Sequence, residues 1–312
     1  MRTNLVVVMD DISAIQVAKD TSLAMLLEGQ RRGYRLWYLN ETDLYISNGR
    51  ACAGMREVEV RDDPADWYRL GQSADRPLGG DDLVMMRSDP PVDTDYLMAT
   101  YVLGLAEQAG ARVVNRPQAL RDFNEKLATM LFPDLIPATL VSANATALRD
   151  FVDERGRVVL KPLDGMGGQG IFVLERGDPN INVVIETLTA NGRNMAMAQE
   201  YLAAIDDGDK RVLVIGGKPA DWMLARIPSG TDFRGNVARG ARAEGRPLTD
   251  VERNIALAVG PALVKHGIQF AGLDIIGDRL TEINVTSPTC VRELDARFGV
   301  NILSDLFDVV DP

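Results

Sequence analysis

Apolar runs and helically spaced apolar residues alternate along the first third of the chain. The short apolar runs are typical of strands buried on both faces of a sheet, and they lie at residues 5–9, 36–39, 83–86 and 112–114. Helical spacing is found between them, at residues 20–30 and 94–108, with Gly33 and Gly110 just beyond the helix ends. Residues 41–61 predict an inserted hairpin around Asn48-Gly49. The alternation predicts an α/β domain with a parallel sheet and helices on both faces.

Polar residues follow two of these predicted strands. Ligands of parallel α/β sheets bind beyond the carboxyl ends of the strands. Asp10 and Ser13 follow the first strand, and Arg87 follows the strand at residues 83–86. We interpret these three as candidate substrate residues, although each is at least as well explained as an ordinary turn residue.

The pattern changes after residue 121. Residues 117–132 have the spacing of a helix that bears Lys126, and from residue 158 onward the strands are joined as hairpins. Residues 228–247 are rich in Gly and Arg and poor in apolar residues, which predicts a mobile loop rather than a packed element. A helix at residues 250–265 leads to a last hairpin at residues 270–286.

Composition excludes several classes of protein. The 312 residues include 34 Lys and Arg against 45 Asp and Glu, and a net charge of −11 argues against binding nucleic acid through a basic face. The single histidine, His266, excludes a metal site with two histidines. Cys52 and Cys290 form at most one disulfide, as expected in a reducing compartment. The sequence shows neither a signal peptide nor an apolar run long enough to span a membrane, so we expect a soluble, cytoplasmic protein.

A glycine-rich loop lies between two predicted strands. Its six residues are Gly165, Met166, Gly167, Gly168, Gln169 and Gly170. Backbone amides in such a loop can approach an anion closely, and Lys161 precedes it at a distance suited to a phosphate. Because strands flank it on both sides, the loop fits neither the dinucleotide-binding fingerprint nor a Walker loop. A flexible hairpin tip with a surface lysine explains this segment, taken alone, about equally well.

The last predicted hairpin carries Asp274, Glu282 and Asn284. A three-residue turn at residues 277–279 would place Asp274 opposite Glu282, so that all three side chains share one face. A two-residue turn would pair Asp274 with Thr281 and send its carboxylate to the other face. Two carboxylates and an amide suit Mg²⁺ that also binds phosphates, and unneutralised carboxylates would repel each other without a cation. The alternative, an exposed polar face, fits less well because apolar residues occupy the alternate positions.

Arginines and the two cysteines complete the candidate chemistry. Arg211, Arg226 and Arg234 could hold a phosphate or a carboxylate, although each alone is more often a surface charge. Cys290 follows the hairpin but has no histidine partner in the sequence, so we do not expect it to act as a nucleophile.

Together these segments resemble the bacterial-type glutathione synthetase family of ATP-grasp ligases along essentially the whole chain. The resemblance rests on NEKL at 124–127, KPLDGMGGQGIF at 161–172, DGDKRVLV at 207–214, ARIPSG at 225–230, GLDIIGDRLTEINVTSPTC at 272–290 and RSDPP at 87–91. Two departures stand out, at Ser88, where lysine is expected, and at Thr231-Asp232-Phe233.

The resemblance implies an ATP-grasp fold preceded by a parallel-sheet N-terminal domain. The implied units are an N-terminal substrate-side domain at 1–121, a central lid subdomain with the glycine-rich loop at 122–202, and a C-terminal subdomain at 203–312. The last unit would contain the mobile loop 228–242 and the metal hairpin. The implied activity joins γ-glutamylcysteine to glycine, with ATP and Mg²⁺ or Mn²⁺, through an acyl phosphate, in a homotetramer. Another acceptor, or a non-catalytic ATP-binding regulator, is the alternative.

The resemblance also implies roles for individual residues. The ATP phosphates would be held by Lys126 and Lys161 beneath the loop 165–170. The adenine and ribose would be met by Gln199, Glu200, Tyr201, Leu202 and Asp209, and the metal by Asp274, Glu282 and Asn284. Arg211 and Arg226 would steady the transferred phosphate, and Arg234 would act from the closing loop. The glycine pocket would be bordered by Ser287, Pro288 and Thr289.

Overall fold

The computed structural model of the protein describes residues 3–165, 167–228 and 242–312, and these residues form three β-sheets with flanking helices. The helices are α1 (Thr21–Arg31), α2 (Thr94–Gln108), α3 (Pro117–Asp122), α4 (Ala145–Arg155), α5 (Ile181–Leu188), α6 (Asp250–Lys265), α7 (Val291–Phe298) and α8 (Ile302–Val310). Short 3-10 helices lie at Ile12–Ala14, Glu41–Asp43, Leu127–Leu131 and Ala203–Asp207.

The strands of the first sheet are β1 (Asn4–Val8), β2 (Arg35–Leu39), β3 (Leu44–Ser47), β4 (Arg50–Val60), β5 (Tyr68–Pro77), β6 (Asp82–Met86) and β7 (Arg112–Val114). The second sheet consists of β8 (Thr139–Ser142), β9 (Arg157–Pro162), β10 (Phe172–Glu175) and β11 (Ala196–Glu200). The third consists of β12 (Asp209–Ile215), β13 (Lys218–Ile227), β14 (Arg242–Pro247), β15 (Phe270–Ile276) and β16 (Arg279–Asn284).

The first sheet has the predicted parallel centre. β1 pairs in parallel with β2 and β6, and β6 pairs in parallel with β7. Successive residues of β1 point to opposite faces, so Val6 and Val8 join one core cluster while Leu5 and Val7 join another. Helix α2 packs its buried residues into the first cluster and α1 into the second, which confirms helices on both faces.

The hairpin inserted into this sheet is larger than the sequence indicated. Asn48 and Gly49 form the predicted turn between β3 and β4 with φ angles of 49° and 75°. Strand β5 then pairs with β4 alone and is exposed along most of its length. Because few of its side chains are buried, β5 lacks the apolar alternation from which a strand is predicted.

The predicted helix at residues 117–132 is wrong. Helix α3 ends at Asp122, and the chain turns before the short 3-10 helix at Leu127–Leu131. The side chain of Asn124 accepts hydrogen bonds from the backbone N–H groups of Lys126 and Leu127, 3.1 and 3.0 Å away. An asparagine that bonds to its own backbone in this way competes with the helix. Lys126 therefore lies in a turn rather than in a helix.

The second and third sheets are antiparallel. The second has the order β10-β9-β11-β8, and its core packs against α4 and α5 through residues such as Leu148 and Ile185. The third has the order β14-β13-β12-β15-β16. The glycine-rich loop joins β9 to β10, which confirms that it connects two strands.

The prediction of a loop over residues 228–247 is wrong for its last six residues. β14 pairs with β13 from Trp222 to Ile227, and a Cβ at Gly245 would lie 2.9 Å from the ring of Phe298. This strand therefore packs its backbone, rather than apolar side chains, against α7, and the apolar pattern misses it. Residues 229–241, including Arg234, lie outside the described residues, as does Met166. Within the described parts of the chain, none of the helices has the length and apolar character needed to cross a membrane.

Candidate active site

A cavity of about 490 Å³ is lined by residues of the second and third sheets and of loops that follow strands of the first sheet. The predicted site residues that line it are Lys126, Lys161, Gly165, Gly167, Gly168, Gln169, Gln199, Glu200, Tyr201, Leu202, Asp209, Arg211, Arg226, Asp274, Glu282, Asn284, Ser287 and Thr289. Lys126 and Thr289, which are 163 positions apart in the sequence, thus line the same cavity.

The carboxylate hairpin, formed by β15 and β16, reaches its predicted register by a different route. Ile276 pairs with Arg279, so the turn has two residues, and the predicted three-residue turn is wrong. Ile275 pairs with Leu280 and Asp274 with Glu282, which leaves Thr281 as an extra residue in β16. This β-bulge restores the alignment that a two-residue turn alone would have lost. The hydroxyl of Thr281 donates to the backbone carbonyl of Asp274 over 3.0 Å and supports the bulge.

Asp274 is a buried carboxylate between two guanidinium groups. Nη2 of Arg211 lies 2.9 Å from its Oδ2, and Nη2 of Arg226 lies 3.0 Å from the same atom. Burial acts to raise the pKa of Asp274, but the charges of Arg211 and Arg226 outweigh it and hold the pKa well below its ordinary value. A Cβ at Gly272 would lie 2.7 Å from Cδ of Arg211, so glycine at this position leaves room for the arginine.

Glu282 lies beside two lysines. Its Oε1 is 3.3 Å from Nζ of Lys161 and 3.8 Å from Nζ of Lys126. Burial acts to raise the pKa of Glu282, and the two lysines hold it below its ordinary value. Burial also lowers the pKa of Lys161. The side chains of the chain itself therefore neutralise both carboxylates, so the repulsion between Asp274 and Glu282 does not by itself require a cation.

The donor set at the hairpin nevertheless fits Mg²⁺. Nδ2 of Asn284 donates to Oδ2 of Asp274 and to the carbonyl of Gly272, which leaves Oδ1 as the atom of this amide that a metal would use. In the parts of the chain that the structure describes, no three His, Cys, Asp or Glu side chains are grouped to hold a metal. Asp274, Glu282 and Asn284 instead offer two carboxylates and an amide. Such a hard oxygen set suits a Mg²⁺ ion that takes its other ligands from phosphates and water.

The other end of the cavity is less charged. Gln199, Glu200, Tyr201 and Leu202 lie at the end of β11 and just beyond it, near Val159 and Ile276. The guanidinium of Arg157 lies 3.8 Å from the ring centre of Tyr201 and holds that ring in place. A planar, partly apolar group fits this end, while anionic groups fit the end with the lysines and arginines.

Asp209 connects the two ends. Its carboxylate pairs with Arg226 at 2.5 Å. Burial raises the pKa of Asp209, and the nearby charges of Asp274 and Glu282 raise it further against the opposing charge of Arg226.

The glycine-rich loop is tied to the lysine end. Nζ of Lys126 donates to the carbonyl oxygen of Gly165 over 2.7 Å. A Cβ at Gly165 would lie 2.7 Å from Cγ of Pro162, so the loop folds back tightly on the end of β9. Gly170 borders Pro162 without lining the cavity.

The predicted substrate residues of the first sheet lie differently from one another. Arg87 is buried and does not line the cavity; it donates to the carbonyl oxygen of Pro288 over 3.1 Å and so holds the loop that carries Ser287 and Thr289. Asp10 is exposed and accepts a hydrogen bond from the backbone N–H of Asp89.

Ser13 lies beside a separate surface cavity with Tyr38 and Tyr68. Neither Asp10 nor Ser13 lines the main cavity as described.

Several cavity residues escaped the sequence analysis. They are Gln16, Lys19, Asp89, Glu125 and Glu293, among others. Glu125 accepts from the hydroxyl of Thr286 over 2.9 Å, and its place directly before Lys126 was a usable signal. Asp89 accepts from the hydroxyl of Ser287. Gln16 and Lys19 lie in a loop without any periodic pattern, so no signal pointed to them.

Comparison with known proteins decides the family. The family model for the prokaryotic glutathione synthetase N-terminal domain matches residues 3–121, and that for the ATP-grasp domain of the same family matches residues 125–299. The chain belongs to the prokaryotic glutathione synthetase family. The glutathione synthetase of Xanthomonas campestris pv. campestris is 54% identical over 311 residues, which cover all of this chain and 98% of the relative. That of Escherichia coli is 52% identical over 305 residues, covering 98% of this chain and 96% of the relative.

Solved structures support the fold. D-cycloserine synthetase DcsG superposes with a TM-score of 0.66 at 15% identity, covering 99% of this chain and all of that one. The ATP-grasp ligase PsnB, solved with a minimal precursor, has a TM-score of 0.63 at 23% identity, covering 99% and 98%. These similarities confirm the ATP-grasp fold and the N-terminal domain that contains a parallel sheet. With the family, they show a glutathione synthetase and therefore an ATP-dependent carbon–nitrogen ligase acting on small molecules.

Proposed function

We propose that the described cavity is where this glutathione synthetase joins γ-glutamylcysteine to glycine, with ATP driving the reaction through an acyl phosphate. The observation that carries the proposal is the convergence of Lys126, Lys161, Arg211 and Arg226 on the face that bears Asp274, Glu282 and Asn284. Four cations around a charged end and a planar slot at the other end match the two halves of ATP.

The proposed phosphate end does most of the chemistry through charge. Phosphoryl transfer needs positioning and neutralisation more than a protein nucleophile. Lys126 and Lys161 would hold the ATP phosphates, and Arg211 and Arg226 would hold the phosphoryl group as it moves to the substrate carboxylate. A Mg²⁺ ion, which Mn²⁺ could replace, would be held by Asp274, Glu282 and Asn284 and would neutralise phosphate charge.

The nucleotide end would hold adenine and ribose. Residues 199–202 would meet the base, largely through their backbone, and Asp209 would lie near the ribose. The loop 165–170 would cover the phosphates from above. Its bond to Lys126 through Gly165 supports this placement, since the lysine that holds the phosphates also holds the loop.

The acceptor end would hold glycine. The loop of Ser287, Pro288 and Thr289 would border the glycine pocket, and Arg234, which lies outside the described residues, would act on the intermediate. The amine of glycine then attacks the activated carbonyl and phosphate leaves. Water must be kept out at this stage because it would hydrolyse the acyl phosphate. We propose that Arg87 acts here through the backbone of Pro288.

Release of ADP with each substrate omitted in turn tests this proposal. The purified protein with ATP and Mg²⁺ is expected to release ADP only when γ-glutamylcysteine and glycine are both present. Equal turnover with D-alanine in place of glycine contradicts the proposed acceptor. ATP binding without turnover for any acceptor contradicts catalysis and favours a regulatory role.

We also propose the division into units at 1–121, 122–202 and 203–312, a homotetramer, and a cytoplasmic location. The two buried, unpaired cysteines support a reducing compartment. Light scattering during gel filtration measures the assembly directly, and a mass other than four chains contradicts the tetramer.

A further inference from the structure

Asn115 is a buried side chain that uses its whole hydrogen-bonding capacity on the carboxylate hairpin. It follows β7 of the first sheet and is 4% exposed. Its Nδ2 donates to the carbonyl oxygens of Phe270 and Val285, at 2.7 and 2.8 Å. Its Oδ1 accepts from the N–H groups of Gln269 and Phe270, at 2.8 and 3.0 Å. An amide offers two donor hydrogens and one acceptor oxygen, and all of them are used here.

These four bonds lie where the two strands of the hairpin separate. The last paired residues of β15 and β16 are Gly272 and Asn284. Beyond this pair, Asn115 joins Phe270 on one strand to Val285 on the other. Asn115 thus fixes the backbone at the open end of the hairpin, while the bulge at Thr281 fixes the register near the turn.

Two parts of the proposed site depend on this open end. Val285 directly follows Asn284, the amide of the proposed metal set. It also directly precedes Thr286, from which the chain continues into the loop of the proposed glycine pocket. A shift of the backbone at Val285 therefore moves a metal ligand and the acceptor loop together.

We propose that Asn115 is a positioning residue for the ligation reaction, because it fixes the open end of the carboxylate hairpin from a different sheet. It does not line the cavity; it acts through the backbone of Val285, directly after Asn284, and through that of Gln269 and Phe270 on the neighbouring strand. The inference rests on the proposed function of this hairpin, so its test includes a readout that does not depend on catalysis.

The test compares Asn115→Asp with Val113→Ala in the full-length protein. Aspartate keeps the size and the acceptor oxygen of Asn115 but places a second oxygen against the carbonyls of Phe270 and Val285. Val113 lies on β7, two residues before Asn115, is buried in the core and forms no hydrogen bond with the hairpin backbone, so it controls for general destabilisation. Amide hydrogen exchange, the kcat for ADP release and the Mg²⁺ concentration at half-maximal rate are measured well below both melting temperatures.

For Asn115→Asp we expect exchange at residues 269–286 to accelerate about tenfold relative to Val113→Ala. We expect kcat to fall about 10- to 100-fold and the half-maximal Mg²⁺ concentration to rise. Hairpin exchange no faster than in Val113→Ala overturns the inference. So does a loosened hairpin with the kcat and Mg²⁺ dependence of Val113→Ala.

A second variant and a separate control keep the outcome interpretable. If Asn115→Asp does not fold, Asn115→Ser, which retains one hydroxyl, takes its place. Hydrogen exchange at residues 269–286 is then expected to accelerate to a smaller degree. If exchange there does not accelerate, the inference is overturned. A separate variant tests whether the proposed metal site is correct. If Glu282→Gln keeps full activity, the proposed site is wrong, regardless of the hydrogen exchange measured at the hairpin.

Discussion

Glu28 and Glu282 are two glutamates that each lie between two cations, but their exposure is inverted. The cations are the more exposed groups at Glu28, and the carboxylate is the more exposed group at Glu282. At Glu28 the carboxylate is buried, while the side chain of its partner Arg31 is 59% exposed. At Glu282 the side chain is 22% exposed toward the cavity, while Lys126 and Lys161 are only 5% and 6% exposed. The cations of Glu28 lie three and four residues after it in the sequence, whereas Lys126 and Lys161 are far from Glu282 along the chain. The burial of these groups separates a structural ion pair from a site that can accept a ligand.

The contact distances show the same inversion. Arg31 and Arg32 contact Glu28 at 2.6 and 2.5 Å, and Asn301 adds a hydrogen bond at 2.9 Å. This closed cluster fastens α1 to the start of α8. At Glu282 the nearest lysine nitrogens are 3.3 and 3.8 Å away. Loose contacts between buried charges leave their attraction available to a bound phosphate or cation.

The substitution Glu282→Gln is expected to have the largest effect. It removes one anionic ligand of the proposed Mg²⁺ site without changing the size of the side chain, so ligation should fall on the order of 10²–10³-fold. Steady-state release of ADP measures the loss, and circular dichroism establishes that the variant is folded. A Glu282→Gln protein with normal activity contradicts the proposed metal set.

The same substitution at the other glutamate, Glu28→Gln, should lower the stability of the protein and leave its ligation activity nearly unchanged. Burial acts to raise the pKa of Glu28, but hydrogen bonds from Arg31, Arg32 and Asn301 outweigh it and lower the pKa to about 2. A shift of this size corresponds to about 3 kcal/mol, and screening at the exposed Arg31 reduces it to a loss of about 2 kcal/mol. Urea unfolding measures the loss, with ligation at 25 °C expected to stay within about twofold. Unchanged stability contradicts the inverted roles.

Acid pH should remove the difference between Glu28→Gln and the unchanged protein. Because the folded pKa of Glu28, about 2, lies below its ordinary value of 4.5, its contribution to stability is complete above pH 4.5. The contribution is lost as the pH falls from 4.5 through the folded value. The difference in urea midpoint should therefore shrink between pH 6 and the lowest pH at which both proteins fold. A difference that grows toward acid pH reverses the sign and refutes the assignment.

The smallest effect, compared as free energies, is expected from Gly272→Ala. The added Cβ would lie 2.7 Å from Cδ of Arg211 and displace that arginine from Asp274, so kcat should fall about tenfold. Gly54→Ala is the matched control, since nothing lies within 4 Å of a Cβ built at that strand glycine. Equal activity of the two variants would show that the position of Arg211 does not limit the rate.

The order of elements in the first sheet was predictable because its apolar runs are long and buried on both faces. The boundaries of α2, α6 and β7 agree with the apolar spacing residue by residue. Some charged residues of the cavity, such as Lys161, Asp274 and Glu282, also stood out in the sequence, because each lies in or beside an apolar strand. The resemblance of the chain to a family rested on whole motifs rather than on any single residue.

What the sequence did not reveal depends on contacts between distant segments or on single side-chain bonds. The alignment of Asp274 with Glu282 was predicted from a wrong turn length, because an extra residue in β16 is invisible to the apolar pattern. The position of Lys126 depends on the bond of Asn124 to its own backbone. Strand β14 packs through Gly245 against Phe298, a contact that only the folded chain creates.

The hydrogen bonds of Arg87 and Asp89 to the loop of Pro288 and Ser287 have a consequence for how this family can diversify. The proposed acceptor end of the cavity is held by residues that follow β6 of the first sheet, whereas residues 199–202 of the proposed nucleotide end lie at the end of β11 in the second sheet and just beyond it. Changes in the N-terminal domain can therefore reshape the pocket for the incoming amine while the nucleotide slot keeps its form. We expect exchange of N-terminal domains between ATP-grasp ligases to transfer acceptor choice more readily than nucleotide choice.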